Sequence, residues 1–102
     1  MSIYISLMRL TTKGLNNLDG SAKRRELSER RVASLGGCSK AFFATLGIYD
    51  FVQVFDMPSN EAMMEYLLKA RQDGYVDPIV LPAFDVESYG NIVKTIHSKE
   101  EL

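Results

Sequence analysis

Tryptophan is missing from this sequence, and cysteine and histidine appear once each, as Cys38 and His97. A lone cysteine closes no intrachain disulfide, so a reducing, cytoplasmic home is expected. The single histidine has no second imidazole with which to share a metal ion, and no metal or other cofactor is expected. Charge of neither sign dominates. Twelve basic and 13 acidic residues leave a formal net charge of -1, which gives no electrostatic case for a nucleic-acid or membrane partner. No apolar run approaches the roughly 20 residues needed to cross a bilayer, and the first residues lack the basic and apolar pattern of a secretion signal. What remains is a soluble chain of 102 residues, read as a single domain over residues 1–102 that buries one core without a covalent staple.

Along residues 3–10, Ile3, Ile5 and Leu7 fall on one face and Tyr4, Met8 and Leu10 on the other, so this strand calls for cover on both sides. Residues 11–20, with their glycines and asparagines, read as a connection. Ser21 is the expected N-cap of a helix over residues 21–35, which Gly36 and Gly37 stop. Residues 39–46 and 49–56 read as a hairpin joined by a tight corner, Gly47-Ile48-Tyr49-Asp50. There Gly47 is expected to use backbone angles closed to other residues, and Asp50 to accept hydrogen bonds as the chain re-enters the sheet.

Ser59 caps a second helix, whose Met63, Tyr66, Leu67 and Ala70 form one apolar stripe ended by Gly74. Residues 76–84 form a strand in which Pro78 and Pro82 share parity. Both missing N–H groups then face the same lateral side, which predicts an edge strand. Asp85 caps a third helix striped by Tyr89, Ile92, Val93 and Ile96, and residues 98–102 form a polar tail expected to fray.

The resulting order, β-α-β-β-α-β-α, gives an α+β fold of the ferredoxin-like βαββαβ type with an additional C-terminal helix. Right-handed crossovers interleave its antiparallel sheet in the order 4-1-3-2. Helices cover only one face of such a sheet. Because Phe51 and Phe55 oppose Val52 and Val54, and Phe42 opposes Phe43, large apolar groups point both ways. The surplus is assigned to Tyr4, Met8, Phe51 and Phe55, and a homodimer closing face to face is expected to hide it.

The run Thr45-Leu46-Gly47-Ile48-Tyr49-Asp50-Phe51-Val52 resembles the signature of the GYD family, small bacterial proteins named for the three residues carried here by Gly47, Tyr49 and Asp50. Arg9-Leu10-Thr11 with Lys13-Gly14, Leu35-Gly36-Gly37, and Ala83-Phe84 with Tyr89, Ile92 and Val93 extend the likeness along the chain. The resemblance implies a ferredoxin-like fold of the dimeric α/β-barrel type and no settled activity. Ser28 and Arg31 depart from it, standing where relatives tend to carry apolar residues. Lys23, Arg24, Arg25 and Arg30 make the same helix unusually basic.

Tyr49 and Asp50 offer a phenol and a carboxylate for proton transfer, but neighbours on a strand point to opposite faces. The structural reading, with Asp50 holding the corner and Tyr49 packing, is preferred. Arg9 closes the first strand, read as parallel to the third, from which it either pairs with Asp50 or binds an anion. Cys38 reads as a small buried apolar residue and His97 as exposed and inert. The third strand faintly echoes an RNA-binding strand, yet Asp50 would repel phosphate. The basic stretch 23–31, interrupted by Glu26 and Glu29, reads as a solvated helix face.

Two functions fit these features. One is small-molecule binding or cofactor-free catalysis in a pocket between sheet and helices, lined by Tyr4, Phe43, Phe51, Gln53 and Tyr66. The other is a non-catalytic homo-oligomeric assembly or regulatory module.

Overall fold

The computed structural model describes residues 1–100. Strand β1 (Ser2–Leu10) leads through a short helix, α1 (Thr12–Leu15), and one 3-10 turn into α2 (Ser21–Ser34). A hairpin of β2 (Cys38–Ala44) and β3 (Phe51–Met57) follows, then α3 (Asn60–Asp73), β4 (Val76–Ala83) and α4 (Val86–Glu100). The four strands form one sheet in the order β2-β3-β1-β4, the ferredoxin-like arrangement.

Every pairing is antiparallel, so the parallel placement of the first and third strands is corrected. The helical crossover sets β1 and β2 in the same direction, and the hairpin then reverses β3 between them. In consequence Met8 lies opposite Phe51, and Arg9 reaches the same end of the sheet as Asp50.

The helix punctuation follows side-chain chemistry. Ser59 Oγ accepts from the Ala62 N–H at 3.1 Å to start α3, and Asp85 Oδ1 accepts from the Ser88 N–H at 2.7 Å to start α4. Gly36 and Gly74 end their helices at φ 81° and 76°, angles a Cβ disfavours. Ser21 is not a cap. It is the first residue of α2, entered from Gly20 without a side-chain hydrogen bond, because the turn at Leu18–Gly20 delivers the chain already coiled.

The hairpin loop is also wider than a tight corner. Six residues, 45–50, project from the sheet. Gly47 has no positive φ, and the space where a Cβ would sit is open, with nothing within 4 Å. The loop is closed at its base by the Thr45 N–H donating to the Asp50 carbonyl at 2.9 Å and by Thr45 Oγ1 donating to the Tyr49 carbonyl at 2.5 Å.

Register assigns the two faces. Tyr4 with Phe55, Ser6 with Gln53, and Met8 with Phe51 face α2 and α3. Tyr4, Val32, Phe55, Met57, Met63 and Tyr66 form the core at one end of that face, where the Phe55 and Tyr66 rings pack with centroids 5.1 Å apart. The surplus therefore does not consist of Tyr4, Met8, Phe51 and Phe55, which all belong to the helix-covered side. It consists of Ile3, Ile5, Leu7, Val52 and Val54, continued by Ile79 and Leu81 on β4 and by Phe43, 61% exposed, on β2.

Pro78 and Pro82 lie on β4 at the sheet edge, as their shared parity predicts. Cys38 is exposed rather than buried, since it starts the opposite edge strand. The last helix does not fold back over the body. A globular chain of this length has a radius of gyration of about 13 Å, against the observed 16.4 Å, and the longest of the principal extents is 59 Å. Tyr89 and Ile96 in its apolar stripe are accordingly 65% and 51% exposed. The expected frayed tail begins within this helix, and its residues 101–102 lie outside the described residues.

Candidate functional site

The helix-covered face is packed at one end and hollow at the other. Beyond the core, α2 stands away from the sheet and leaves a cavity of about 480 Å³ between Met8, Phe42, Phe51 and Val80 below and α2 and α3 above. The reason lies in the inward stripe of α2. Ser21, Arg24, Arg25, Ser28 and Arg31 follow helical spacing and are partly buried, and the stripe turns apolar only at Val32 and Leu35. Such a stripe cannot seat on an apolar sheet as an ordinary amphipathic helix does. It bonds to α3 instead: Ser28 and Tyr66 share a hydroxyl hydrogen bond, and Arg31 pairs with Asp73.

These contacts give Ser28 and Arg31 a role. They also correct the reading of residues 23–31 as a purely solvated face. Lys23, Glu26, Glu29 and Arg30 face solvent, with Arg30 bonded to Glu26 at 2.8 Å, whereas Arg24, Arg25 and Arg31 line the cavity. The signal available in the sequence is the arginine spacing itself, which is that of one helical face.

The cavity floor holds two nearly inaccessible polar side chains, Ser6 and Gln53, paired across the central strands. Gln53 Nε2 donates to Ser39 Oγ at 3.0 Å, which leaves the amide oxygen as an acceptor. Burial pushes the Tyr66 phenol above its ordinary pKa, against the opposing pull of the Ser28 hydrogen bond. It stays a neutral donor and acceptor through the physiological range. The rim is closed by Tyr75, whose ring carries Arg24 at 4.2 Å and Lys13 at 4.4 Å.

Of the residues expected to line a pocket, Phe51, Gln53 and Tyr66 do so. Tyr4 lies in the packed core and donates its hydroxyl proton to Asn60 Oδ1. Phe43 is on the other face of the sheet, because its partner in register is Val52. Tyr49, Asp50 and Arg9 form a separate cluster at the hairpin end. Asp50 Oδ2 accepts from the Leu10 N–H at 2.7 Å, and the Asp50 N–H donates to the Met8 carbonyl at 2.8 Å, so the residue stitches β1 to the start of β3. Arg9 lies over the Tyr49 ring at 5.3 Å, and no Arg9–Asp50 ion pair occurs among the described residues. The cluster is thus a carboxylate engaged by a backbone donor, beside a phenol under a guanidinium. His97 is exposed, its ring contacting the Val93 carbonyl within α4.

No group of His, Cys, Asp and Glu among the described residues is arranged to hold a metal ion, and none of their helices is long and apolar enough to cross a membrane.

Comparison with known proteins gives a family and a fold. The model of the GYD domain matches residues 4–93. Among solved structures, the crystal structure of FFRP-DM1 is similar, with a TM-score of 0.55 and 17% identity over 82% of this chain and 100% of that one. At that identity the likeness concerns the fold alone. No curated protein matches the chain.

Proposed function

The chain belongs to the GYD family, and from that premise we propose that it is a cytoplasmic small-molecule binding protein that works as a homodimer, with its ligand held between the sheet and helices α2 and α3. The observation that carries this reading is the pairing of Ser6 and Gln53, each 2% exposed, on the floor of a cavity whose sheet side is otherwise apolar. Buried polar groups need hydrogen-bond partners, and a plain core would place aliphatic residues at the centre of the sheet. A few polar groups set in an apolar concavity are the usual make-up of a ligand site.

A thermal-shift screen of small metabolites tests the reading. A ligand at 100 times its dissociation constant is expected to stabilise the protein by about 2.7 kcal/mol, and Gln53→Leu is expected to abolish that stabilisation. A hit whose effect survives Gln53→Leu would bind elsewhere.

The dimer rests on a second observation, the uncovered sheet face of Ile3, Ile5, Leu7, Val52, Val54 and Leu81, together with the exposed apolar stripe of α4. A contiguous apolar surface of this kind is covered by a partner in soluble proteins, and a second copy meets it symmetrically. The assembly reading draws on the same face. It gains if the screen yields no ligand and the dimer alone is found.

A further inference from the structure

We infer that the ligand of this cavity is an amphipathic organic anion, an apolar body bearing a carboxylate or similar group, whose charged end is received by Arg25. The inference rests on the ligand-binding reading above and adds the chemical class. Three arginines, Arg24, Arg25 and Arg31, line the cavity from one face of α2, and Asp73 is the only carboxylate among the lining residues. Their engagements differ. Arg31 is neutralised by Asp73. Arg24 Nη2 is occupied by the Asn17 carbonyl at 2.7 Å, and its guanidinium stacks on Tyr75.

Arg25 is paired at one nitrogen only. Its Nη2 meets Glu29 at 3.1 Å at the outer edge, and its guanidinium lies 4.4 Å from the Phe42 ring centroid. Its Nε–H is buried with no hydrogen-bond partner, the only such side-chain atom among the described residues. The rest of this guanidinium belongs to a side chain 41% exposed that lines the cavity, and an anionic oxygen is the partner a guanidinium holds best. The apolar end has its own place: Phe42, Phe51, Met8 and Val80 line the sheet side, with the neutral hydroxyls and amide of Ser6, Gln53 and Tyr66 beyond.

The test uses two probes with the same body, 4-phenylbutyrate and 4-phenylbutan-1-ol, titrated into the full-length protein by calorimetry or ligand-observed NMR. The acid is expected to bind at least tenfold more tightly than the alcohol. Arg25→Met, which keeps an apolar stem against Phe42, is expected to remove that difference by weakening the acid alone. Ala70→Trp, which fills the cavity from α3, is expected to abolish binding of both, and a thermal melt of each variant establishes that it is folded. Equal affinity for acid and alcohol, with both lost in Ala70→Trp, would overturn the anion assignment and leave the cavity reading standing. Binding of both probes that survives Ala70→Trp, or binding of neither to the parent, would overturn the cavity reading together with it.

Discussion

The hollow end of the covered face and the open face of the sheet differ in an unusual direction. The face covered by helices carries Ser6 and Gln53 at its centre and a line of arginines above it, while the face without cover is built from Ile3, Ile5, Leu7, Val52, Val54 and Leu81. The apolar core occupies the other end of the covered face, and the apolar set of the open face has no cover from this chain among the described residues. The proposed function assigns each face a different completion, a ligand for the hollow end of the covered side and a second copy for the apolar side. Residues 53 and 54, adjacent on β3 and pointing to opposite faces, let the two claims be tested one residue apart.

The largest effect is expected from Val54→Asp, which places a charge in the middle of the open face. A dimeric parent should become monomeric, halving the mass seen by sedimentation while circular dichroism remains that of a folded protein. An unchanged mass would mean that this face is not where copies meet. Next comes Asp50, which joins the strands that carry both faces. Asp50→Ala leaves the Leu10 N–H without its acceptor and should cost about 1 to 3 kcal/mol in urea denaturation, with Asp50→Asn recovering part of it. Equal stability of the alanine variant and the parent would return Tyr49 and Asp50 to consideration as a functional pair.

Gln53→Leu sharpens the comparison from the covered side. A side chain held for binding rather than packing should be replaceable with little loss, so stability is expected within about 1 kcal/mol of the parent or above it. A loss of several kcal/mol would show that the amide is part of the core. The smallest effect is expected at Gly47. Gly47→Val in the projecting loop should fall within about 0.5 kcal/mol of the parent, whereas Gly74→Val, at a positive φ, should cost about 1 to 3 kcal/mol. Paired denaturation curves distinguish them.

Much of the fold is legible in the sequence because its signals are local. Ser59 and Asp85 announce helix starts by offering oxygen to nearby N–H groups, and Gly74 announces a stop by tolerating φ 76°. The two prolines of β4 exclude a central position wherever their neighbours lie. The glycine of the hairpin misleads because a glycine permits positive φ without requiring it. The short helix at Thr12–Leu15 is not legible, because it depends on distant partners as well as on its own Thr11 cap. The Thr11 N–H donates to the Tyr75 carbonyl at 3.1 Å, and Thr11 Oγ1 donates to the Gly74 carbonyl at 2.5 Å.

By itself, the chain's alternation and spacing determined the order of elements, the edge position of β4 and the existence of apolar side chains on both sides of the sheet. Those properties depend on periods of two and 3.6 residues, which any stretch of sequence displays. Only the tertiary structure decided which parity faces the helices, because that choice belongs to the pairing of Tyr4 with Phe55 and Ser6 with Gln53, residues far apart in the chain. It also decided the fate of α2. Polar residues at helical spacing look the same whether they face water or a cavity, and what separates Arg25 from Arg30 is the sheet beneath the one and the solvent around the other.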